Sequence, residues 1–454
     1  MSTAVVRTIP SDHLSPVRAY AALRAQAPDR ASFLFESATP GGPWGRYAIL
    51  GYRARGDVLY SRKADLFEMI GRDIAELGEA PESLAAGLTG ALVGFVAYEA
   101  VHKIHEVEPW PDELVLGRVM RDTTVAVFDQ VAQTVTIAGA SLDAVRRCAW
   151  EMTRGPELVP LPLPDASALP EWLDVTPTDD KHAAKEEEAR QRLSAGEVSE
   201  LVMARRFHAP LRGADPFDAY RALRLLSPSA HLFFLDFAEA PFAPGLTLVG
   251  ASSETLIRRD MGAPPAADAA ARSPLAEMRD AFLAAAPVGK PRDRAAQLIR
   301  ELEPVSRSLY GGAVGYLLPG GGMELAVSRS TLVVRQGYFE VISGAPVGAA
   351  STAAAQAEAT LQGARPALAA VCVAYRAAEL RESIAKHRAE AERVAAEKAA
   401  ADKAEAERAA EEQAPAELTE AERAAAEQAV AERAAAEEPA VRPGSEAPEA
   451  DRRA

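Results

Sequence analysis

The two cysteines of the chain, Cys148 and Cys372, are the residues whose chemistry is most closely bounded by their number. Two thiols cannot build a disulfide framework, and they cannot form a thiolate metal site without ligands of another type. Free cysteine usually behaves as a small hydrophobic residue of the core. The sequence therefore predicts two buried thiols in a reducing compartment.

A second set of reactive groups consists of the carboxylates within residues 262–280, which include Glu277. Converging carboxylates can hold a divalent cation or transfer protons. The segment is rich in Ala and Pro and contains no His, which favours surface solvation over a metal site. The nearest histidines are His208 and His231. Because His231 falls in a predicted strand, we expect it in the core or at its rim.

The elements that position these residues belong to a chain of 454 residues, long enough for two or three domains. Its 48% hydrophobic and 25% charged residues are typical of a globular protein. A net charge of −15 argues against general nucleic-acid or anionic-membrane binding. No apolar run could span a membrane, and residues 1–10 lack a signal-peptide pattern. We therefore expect a cytoplasmic protein.

Composition predicts four regions, which are 1–155, 156–178, 179–380 and 381–454. Six prolines make 156–178 a linker, because proline disrupts helices and central strands. The regions on either side of it are each large enough for a hydrophobic core of their own. Periodicity predicts helices over 16–26, 179–195, 216–226 and 292–302, and strands over 198–207, 231–237, 312–317, 324–334 and 338–342. This pattern favours an α+β layered sandwich of antiparallel sheets with helices over a doubly wound parallel sheet.

The C-terminal tail, residues 381–454, is dominated by Ala, Glu and Arg and is internally repetitive. These residue types are strong helix formers, so the tail is predicted to be helical. Pro415 predicts an interruption, and Thr419 with Glu422 forms a capping box that would start a second helix. The sparse apolar residues do not sustain a heptad seam, which favours an exposed, solvated helix over a stable coiled coil. A partner-binding or self-associating arm is the alternative.

Short segments spread over residues 10–375 resemble the chorismate-utilising enzymes, most closely the large subunit (component I) of anthranilate synthase. The segments are Phe-Glu-Ser at 35–37, Gly-Arg-Tyr at 45–47, Leu-Val-Gly-Phe-Val-Ala-Tyr-Glu at 92–99, Val-Phe-Asp at 127–129, Gly-Glu-Val at 196–198, Ala-Arg-Arg-Phe at 204–207, Ser-Pro-Ser-Ala-His-Leu-Phe-Phe at 227–234, Gly-Ala-Ser-Ser-Glu at 250–254, Glu-Leu-Glu-Pro-Val-Ser-Arg at 301–307 and Tyr-Gly-Gly-Ala-Val-Gly-Tyr at 310–316. No single segment is specific, but their order is. The resemblance implies that subunit's two-domain sandwich, with chorismate bound in the core.

The resemblance implies a reaction that converts chorismate and ammonia to anthranilate and pyruvate. In the family, Mg²⁺ held by glutamates of two motifs binds the ring carboxylate, a histidine aids elimination, and a glutamine amidotransferase partner supplies the ammonia. It also implies substrate binding by Tyr310, Arg329 and Gly344. The planar fork of Arg329 suits bidentate capture of a carboxylate. The alternatives are a strand-surface charge for Arg329 and a buried core role for Tyr310.

Several catalytic features of the family are missing from this sequence. The short segment 262–280 replaces the long stretch that carries the first metal-binding glutamate and the catalytic histidine. Pro346 follows Gly344 and Ala345 where the family has a glycine N–H that binds carboxylate, and proline has no N–H. Gln356 replaces the second metal-binding glutamate, since Glu358 is two residues out of register. We therefore expect no catalytic residue, no metal ligand and no Mg²⁺ cofactor.

Two further positions differ from the family pattern. Glu200 places a carboxylate where it would repel a dicarboxylate substrate. The threonine hydroxyl that faces the substrate in the family is replaced by Lys290 or deleted, because the loop is compressed to 287–292. Both changes weaken the case for catalysis by the family's route.

The resemblance also implies a regulatory, tryptophan-like site made of Glu36, Ser37, Pro228 and Ser229. In the family, the corresponding segments hold tryptophan where the two halves meet. Glu36 or Ser37 could accept a hydrogen bond from an ammonium or amide group. They could equally only cap a turn, and both interpretations stay open.

Three hypotheses follow for the function. The leading one is a homologue of anthranilate synthase component I that has lost catalysis and binds a small aromatic or carboxylate ligand or a protein partner. The second is a working chorismate enzyme whose site has been rebuilt. The third is a non-enzymatic scaffold that docks a glutamine amidotransferase subunit.

Overall fold

The computed structural model describes residues 4–39, 45–62, 64–79, 81–102, 104–111, 115–240, 243–260, 273–348 and 352–435. Within these ranges the chain up to Arg381 forms one compact unit, and the chain from Glu382 forms a second. Most of the predicted carboxylate-bearing segment 262–280 lies outside the described residues, whereas Glu277 lies within them.

Most helices begin at a serine or aspartate whose side chain accepts a hydrogen bond from a backbone N–H of the first turn. The α-helices of the described residues are α1 (Pro16–Ala25), α2 (Leu66–Glu76), α3 (Leu84–Thr89), α4 (Leu142–Glu151), α5 (Asp179–Ser194), α6 (Pro216–Leu226), α7 (Pro274–Ala285), α8 (Arg292–Leu302) and α9 (Ala353–Ala435). Three of them, α1, α6 and α7, also carry proline in the first turn, where its missing N–H costs no hydrogen bond.

The strands pair antiparallel throughout the described residues. They are β1 (Val5–Pro10), β2 (Ser32–Glu36), β3 (Tyr47–Tyr52), β4 (Gly56–Tyr60), β5 (Leu92–Val96), β6 (Gly117–Arg121), β7 (Thr124–Asp129), β8 (Thr134–Gly139), β9 (Asp174–Thr176), β10 (Glu200–Pro210), β11 (His231–Phe237), β12 (Leu246–Ser252), β13 (Thr255–Arg259), β14 (Gly289–Lys290), β15 (Ala313–Leu317), β16 (Met323–Val327), β17 (Ser330–Arg335) and β18 (Tyr338–Val347). Antiparallel sheets combined with helices confirm the predicted α+β class.

The strands form two sheets that pack face to face. The larger has the order β1-β8-β7-β3-β2-β11-β12-β17-β18-β10-β14, with β9 beside β10, and the smaller has the order β13-β16-β15-β5-β6-β4. Phe35, Phe95 and Phe233 belong to the apolar layer between the sheets. Helices α1, α4, α6 and the start of α9 cover the outer face of the larger sheet, and α2, α7 and α8 cover that of the smaller. The result is a layered sandwich with helices outside.

The expectation of separate cores for residues 1–155 and 179–380 is wrong. Leu34 of β2 pairs with Phe234 of β11, and Gly94 of β5 pairs with Gly315 of β15. Each region therefore supplies one contiguous block of strands to each sheet, and the two blocks join at these pairs. The apolar clusters of the sandwich accordingly contain residues of both regions.

The strand predicted over 324–334 is also wrong, since it is two strands in different sheets. The chain leaves β16 at Val327 and enters β17 at Ser330. The backbone of Ser328, between them, donates to the carbonyl of Gly312 at 2.8 Å and accepts from the N–H of Gly311 at 2.7 Å. These bonds pin the crossover beside the start of β15.

The second unit is helical over its described residues, 382–435, and the predicted break at Pro415 is absent because α9 runs through that position. The strong helix preference of Ala, Glu and Arg on both sides accounts for its continuity. Lys386 pairs with Glu382 at 2.7 Å, one turn away. Val394 is exposed. In the described part of the whole chain, no helix is both long and apolar enough to cross a membrane.

Candidate functional site

The structure brings Tyr310 and Gly344 into direct contact. The Tyr310 hydroxyl donates to the carbonyl of Gly344 at 3.2 Å, and the ring is buried against Ala204 and Ile342. A Cβ atom at position 344 would lie 2.7 Å from the Tyr310 hydroxyl oxygen, so the contact requires glycine. The two predicted substrate-binding residues therefore share one packed contact, in which the tyrosine side chain occupies the space beside the glycine.

Beneath Tyr310 lies a buried ion pair between Arg307 and Glu303. The Arg307 side chain is fully buried, and its guanidinium donates to both oxygens of Glu303, at 2.9 and 2.5 Å. It also donates to the carbonyls of Pro287 at 2.7 Å and Val202 at 2.6 Å. Burial opposes the charge of Arg307, but the attraction of Glu303 outweighs it and raises the arginine pKa. The Arg307 guanidinium therefore has a structural role, because its hydrogen bonds are made to groups of the chain itself.

Arg329 holds a carboxylate of its own chain. Its Nε and Nη2 donate to both oxygens of Glu254 at 3.0–3.2 Å, in the bidentate geometry expected for carboxylate capture. The two side chains are 36% and 49% exposed, so the pair faces solvent. Arg329 follows Ser328, whose backbone bonds lead to the segment beside Tyr310. The predicted substrate arginine is thus near the Tyr310 segment, with its fork occupied by Glu254.

Gln356 lies buried where the resemblance implies the second metal-binding glutamate. Its side-chain amide donates to the carbonyls of Met203 in β10, at 3.3 Å, and Ala345 in β18, at 3.1 Å. Its Oε1 faces Nε2 of buried His182. Burial, together with the charge of Arg205, holds the pKa of His182 below its ordinary value, so the neutral ring donates to this oxygen. Gln356 therefore joins two strands and a helix.

The compressed loop at 287–292 covers the edge of β10. Lys290 and Gly289 pair with Glu200 and Leu201, and the Lys290 ammonium contacts the Glu200 carboxylate at 2.9 Å. A Cβ atom at Gly289 would lie 2.0 Å from the Glu200 carbonyl oxygen. Pro346 lies opposite Val202 in the β10–β18 pairing. The shortened loop thus supplies an ion-pair partner, Lys290, for Glu200. Glu200 is the carboxylate expected to repel an acidic substrate.

No group of three or more His, Cys, Asp or Glu side chains lies close enough to hold a metal ion within the described ranges. Glu277 forms an ion pair with Arg259 at 3.1 Å. His231 is buried, as expected for a core position, with Nε2 3.7 Å from a carboxylate oxygen of Glu324. His208 lies partly exposed, with Nε2 3.5 Å from an Asp174 oxygen.

The two cysteines differ in burial. Cys148 is buried, as predicted, and burial raises the pKa of its thiol to about 12. Cys372 is only partly buried, which corrects the expectation for that residue. It lies on α9, a helix of which one side packs on the larger sheet.

The predicted regulatory segments also meet. The N–H of Ala38 donates to the carbonyl of Ser229 at 2.9 Å, and β2 lies beside β11. Glu36 is buried and accepts hydrogen bonds from Tyr220 at 2.7 Å and from Arg224 at 3.2 Å. Ser37 instead bonds to the Thr39 carbonyl at 2.7 Å, which is a local turn. Glu36 is thus compensated within the fold, and Ser229 is held beside Ala38, two residues along the chain from it.

Sequence reasoning missed the roles of Arg307, Glu303 and His182. The spacing of Glu303 and Arg307, four residues apart in the 301–307 segment, was the available signal for an ion pair. His182 carried no signal, because its partner Gln356 is distant in sequence.

The chorismate binding enzyme family matches residues 56–264 and 266–369, most of the compact unit. The chain belongs to this family. Anthranilate synthase component 1 from Streptomyces coelicolor is 27% identical over 462 residues, covering 79% of this chain and 87% of that protein. The same component from Thermus thermophilus is 27% identical, covering 76% of this chain and 92% of that protein.

Two solved structures share the fold. The crystal structure of anthranilate synthase component I from Streptococcus pneumoniae superposes with a TM-score of 0.59 at 20% identity, covering 79% of this chain and 99% of that one. The menaquinone-specific isochorismate synthase of Escherichia coli gives 0.56 at 15% identity, covering 81% and 94%. The predicted anthranilate synthase component I-like sandwich is therefore confirmed as the fold.

Proposed function

We propose that this chain is an anthranilate synthase component I-like protein that has lost catalysis and retains a ligand- or partner-binding role. The observation that carries the proposal is the environment of Gln356. Its amide hydrogens point at two backbone carbonyls, Met203 and Ala345. A carboxylate there would face the same two oxygens without protons to share, so this position now supports strand packing and not a cation.

The Arg329–Glu254 pair supports the same proposal. An arginine that binds a substrate carboxylate must present its fork unpaired or exchange its partner. Here Glu254 supplies the carboxylate from within the chain. Because both side chains are partly exposed, a small carboxylate ligand could compete with Glu254 at a modest energetic cost. The retained ligand class is therefore a small aromatic or aliphatic carboxylate.

The partner part of the proposal rests on the relatives. Their name, component 1, implies a second component, and in the resemblance this is a glutamine amidotransferase. A protein without turnover could still dock such a subunit through the fold that it shares with these relatives, and both would meet in the cytoplasm. Co-purification with an added amidotransferase subunit tests this part separately from catalysis.

The test of lost catalysis is a direct assay. Purified protein is mixed with chorismate, magnesium and excess ammonium, and anthranilate fluorescence is followed, with the Thermus thermophilus component 1 as the positive control. We expect no product from a sample that unfolds cooperatively. Steady turnover that Arg329→Ala abolishes would contradict the proposal.

A working enzyme with a rebuilt site is the second candidate. The alignment favours it, since it extends over 87% and 92% of two relatives named as anthranilate synthase component 1. This candidate requires a divalent cation. Stoichiometric magnesium or manganese in protein purified with either metal would support it, and absence of bound metal would support the first proposal.

A further inference from the structure

A small cleft on the outer side of the larger sheet is lined by four arginines. It has a volume of about 200 Å³ and lies where the turn after β3, the start of β7 and α4 meet. Its polar lining residues are Arg30, Arg53, Arg55, Arg147, Tyr52 and Thr124. None of these belongs to the Tyr310 contact or to the Glu36 segment, so the cleft is separate from the groups on which the proposed function rests.

Hydrogen bonds made by the turn after β3 fix the arrangement of residues at one side of the cleft. Arg53 adopts a left-handed backbone conformation, with φ of 54°, and its Nη2 donates to the Gln26 carbonyl at 2.9 Å and to Glu151 at 3.0 Å. The N–H of Ala54 donates to the Ala31 carbonyl at 3.2 Å. These anchors fix the direction of the turn and keep Arg53 beside the cleft.

Positive charge in the cleft exceeds what the fold neutralises. Glu151 pairs with Arg53, and Asp29 lies 4.0 Å from Arg30. Within the described ranges, no carboxylate lies within ion-pair distance of Arg55 or Arg147. The buried Nε of Arg53 also has no hydrogen-bond acceptor there. Such a concentration of cations is notable in a chain with a net charge of −15, because the overall field does not favour anions.

We propose that this cleft binds a phosphate group, either as free phosphate or as a phosphate monoester. Its arginines come from three separate segments, and guanidinium groups that approach from several sides match a tetrahedral oxyanion. A planar carboxylate, by contrast, is satisfied by a single guanidinium fork. The volume of about 200 Å³ suits the phosphate group, with any organic remainder left in solvent.

The test is isothermal titration calorimetry of the full chain with inorganic phosphate, at constant low ionic strength. Arg55→Gln and Arg147→Gln each remove one cation of the cleft. The matched control is Arg146→Gln, because Arg146 is the exposed neighbour on α4 that does not line the cleft. It changes the net charge equally. We expect saturable binding to the wild type that each cleft variant weakens at least about tenfold and the control leaves within about twofold.

Three results would overturn the proposal. These are the absence of saturable binding, equal weakening by Arg146→Gln, and succinate binding as tightly as phosphate. Thermal unfolding of each variant separates lost binding from lost folding. Glycerol 3-phosphate distinguishes the sources: binding at least as tight as that of phosphate assigns the cleft to a monoester, and weaker binding assigns it to the free ion. Chorismate turnover does not enter this test, so its outcome is independent of the proposed function.

Discussion

Two arginine–glutamate pairs close to the Tyr310 segment differ most in their exposure to solvent. In the Arg307–Glu303 pair the side chains are 0% and 3% exposed, whereas in the Arg329–Glu254 pair they are 36% and 49% exposed. The first pair also binds two backbone carbonyls. The same chemical pair is therefore a fixed structural element in one region and an exchangeable contact in the other.

The largest expected effect comes from breaking the buried pair. Arg307→Ala leaves the Glu303 carboxylate buried without its cation, and we expect the free energy of unfolding to fall by about 3–5 kcal/mol. Urea denaturation measures it. Arg329→Ala is the matched control in the exposed pair and should cost no more than about 1 kcal/mol. Equal losses in the two variants would show that burial does not distinguish the pairs.

A smaller loss is expected when Gln356 becomes a glutamate. In Gln356→Glu a carboxylate oxygen replaces the amide donor that faces the carbonyls of Met203 and Ala345, at a cost of roughly 1–3 kcal/mol. Gln362→Glu, on the exposed side of the same helix, should change stability by less than about 0.5 kcal/mol. If magnesium restored the stability of Gln356→Glu, the position would still be a metal site, and the proposed function would be weakened.

The pH dependence of stability tests the partner of Gln356. His182 stays neutral in the fold because its pKa is lowered, whereas in the unfolded chain it takes up a proton below about pH 6.5. The unfolded state then binds more protons, so this contribution is fully present above pH 6.5 and is lost as pH falls through the lowered pKa. His182→Asn should remove that component of the pH profile. An unchanged profile would mean that the ring is solvated.

The smallest effect on stability is expected when the exposed Arg329–Glu254 pair is broken. The expected change is instead in ligand affinity. Glu254→Gln should change the free energy of unfolding by less than about 1 kcal/mol and free the Arg329 fork. Benzoate binding, measured by NMR titration, should then be tighter than in the wild type. Adding Arg329→Ala to this variant should abolish the gain. Equal benzoate affinity in Glu254→Gln and the wild type would show that Glu254 does not block the arginine.

Local signals predicted much of the secondary structure. Helix α6 and strand β11 coincide with their predicted bounds. Asp215 and Pro216 mark the start of the helix, and the strand is a short apolar run that follows the turn residues Ser-Pro-Ser at 227–229. The split between β16 and β17 was missed, since the polar Ser-Arg-Ser at 328–330 does not by itself show that the apolar residues on either side belong to different sheets. The break predicted at Pro415 was wrong because one proline was given more weight than the long stretch of helix-forming residues on both sides of it.

The candidate site was predictable only in part. Tyr310, Gly344 and Arg329 could be located from the resemblance, but their partners could not. Glu254 pairs with Arg329 across 75 residues, and Gln356 bonds to Met203 across 153. Such contacts depend on strand order and crossovers, which local patterns do not encode.

The junction between an early and a late block of strands in each sheet also has a consequence for synthesis on the ribosome. Strand β2 has one early partner, β3, and its other edge stays without hydrogen bonds until β11 is made. Strand β5 likewise pairs early with β6, and its other edge waits for β15. The emerging N-terminal region therefore exposes unpaired strand edges until residues near Leu317 have left the exit tunnel. Nascent chains halted before that point should be sensitive to proteases and dependent on chaperones, whereas chains extended to Arg381 should resist digestion.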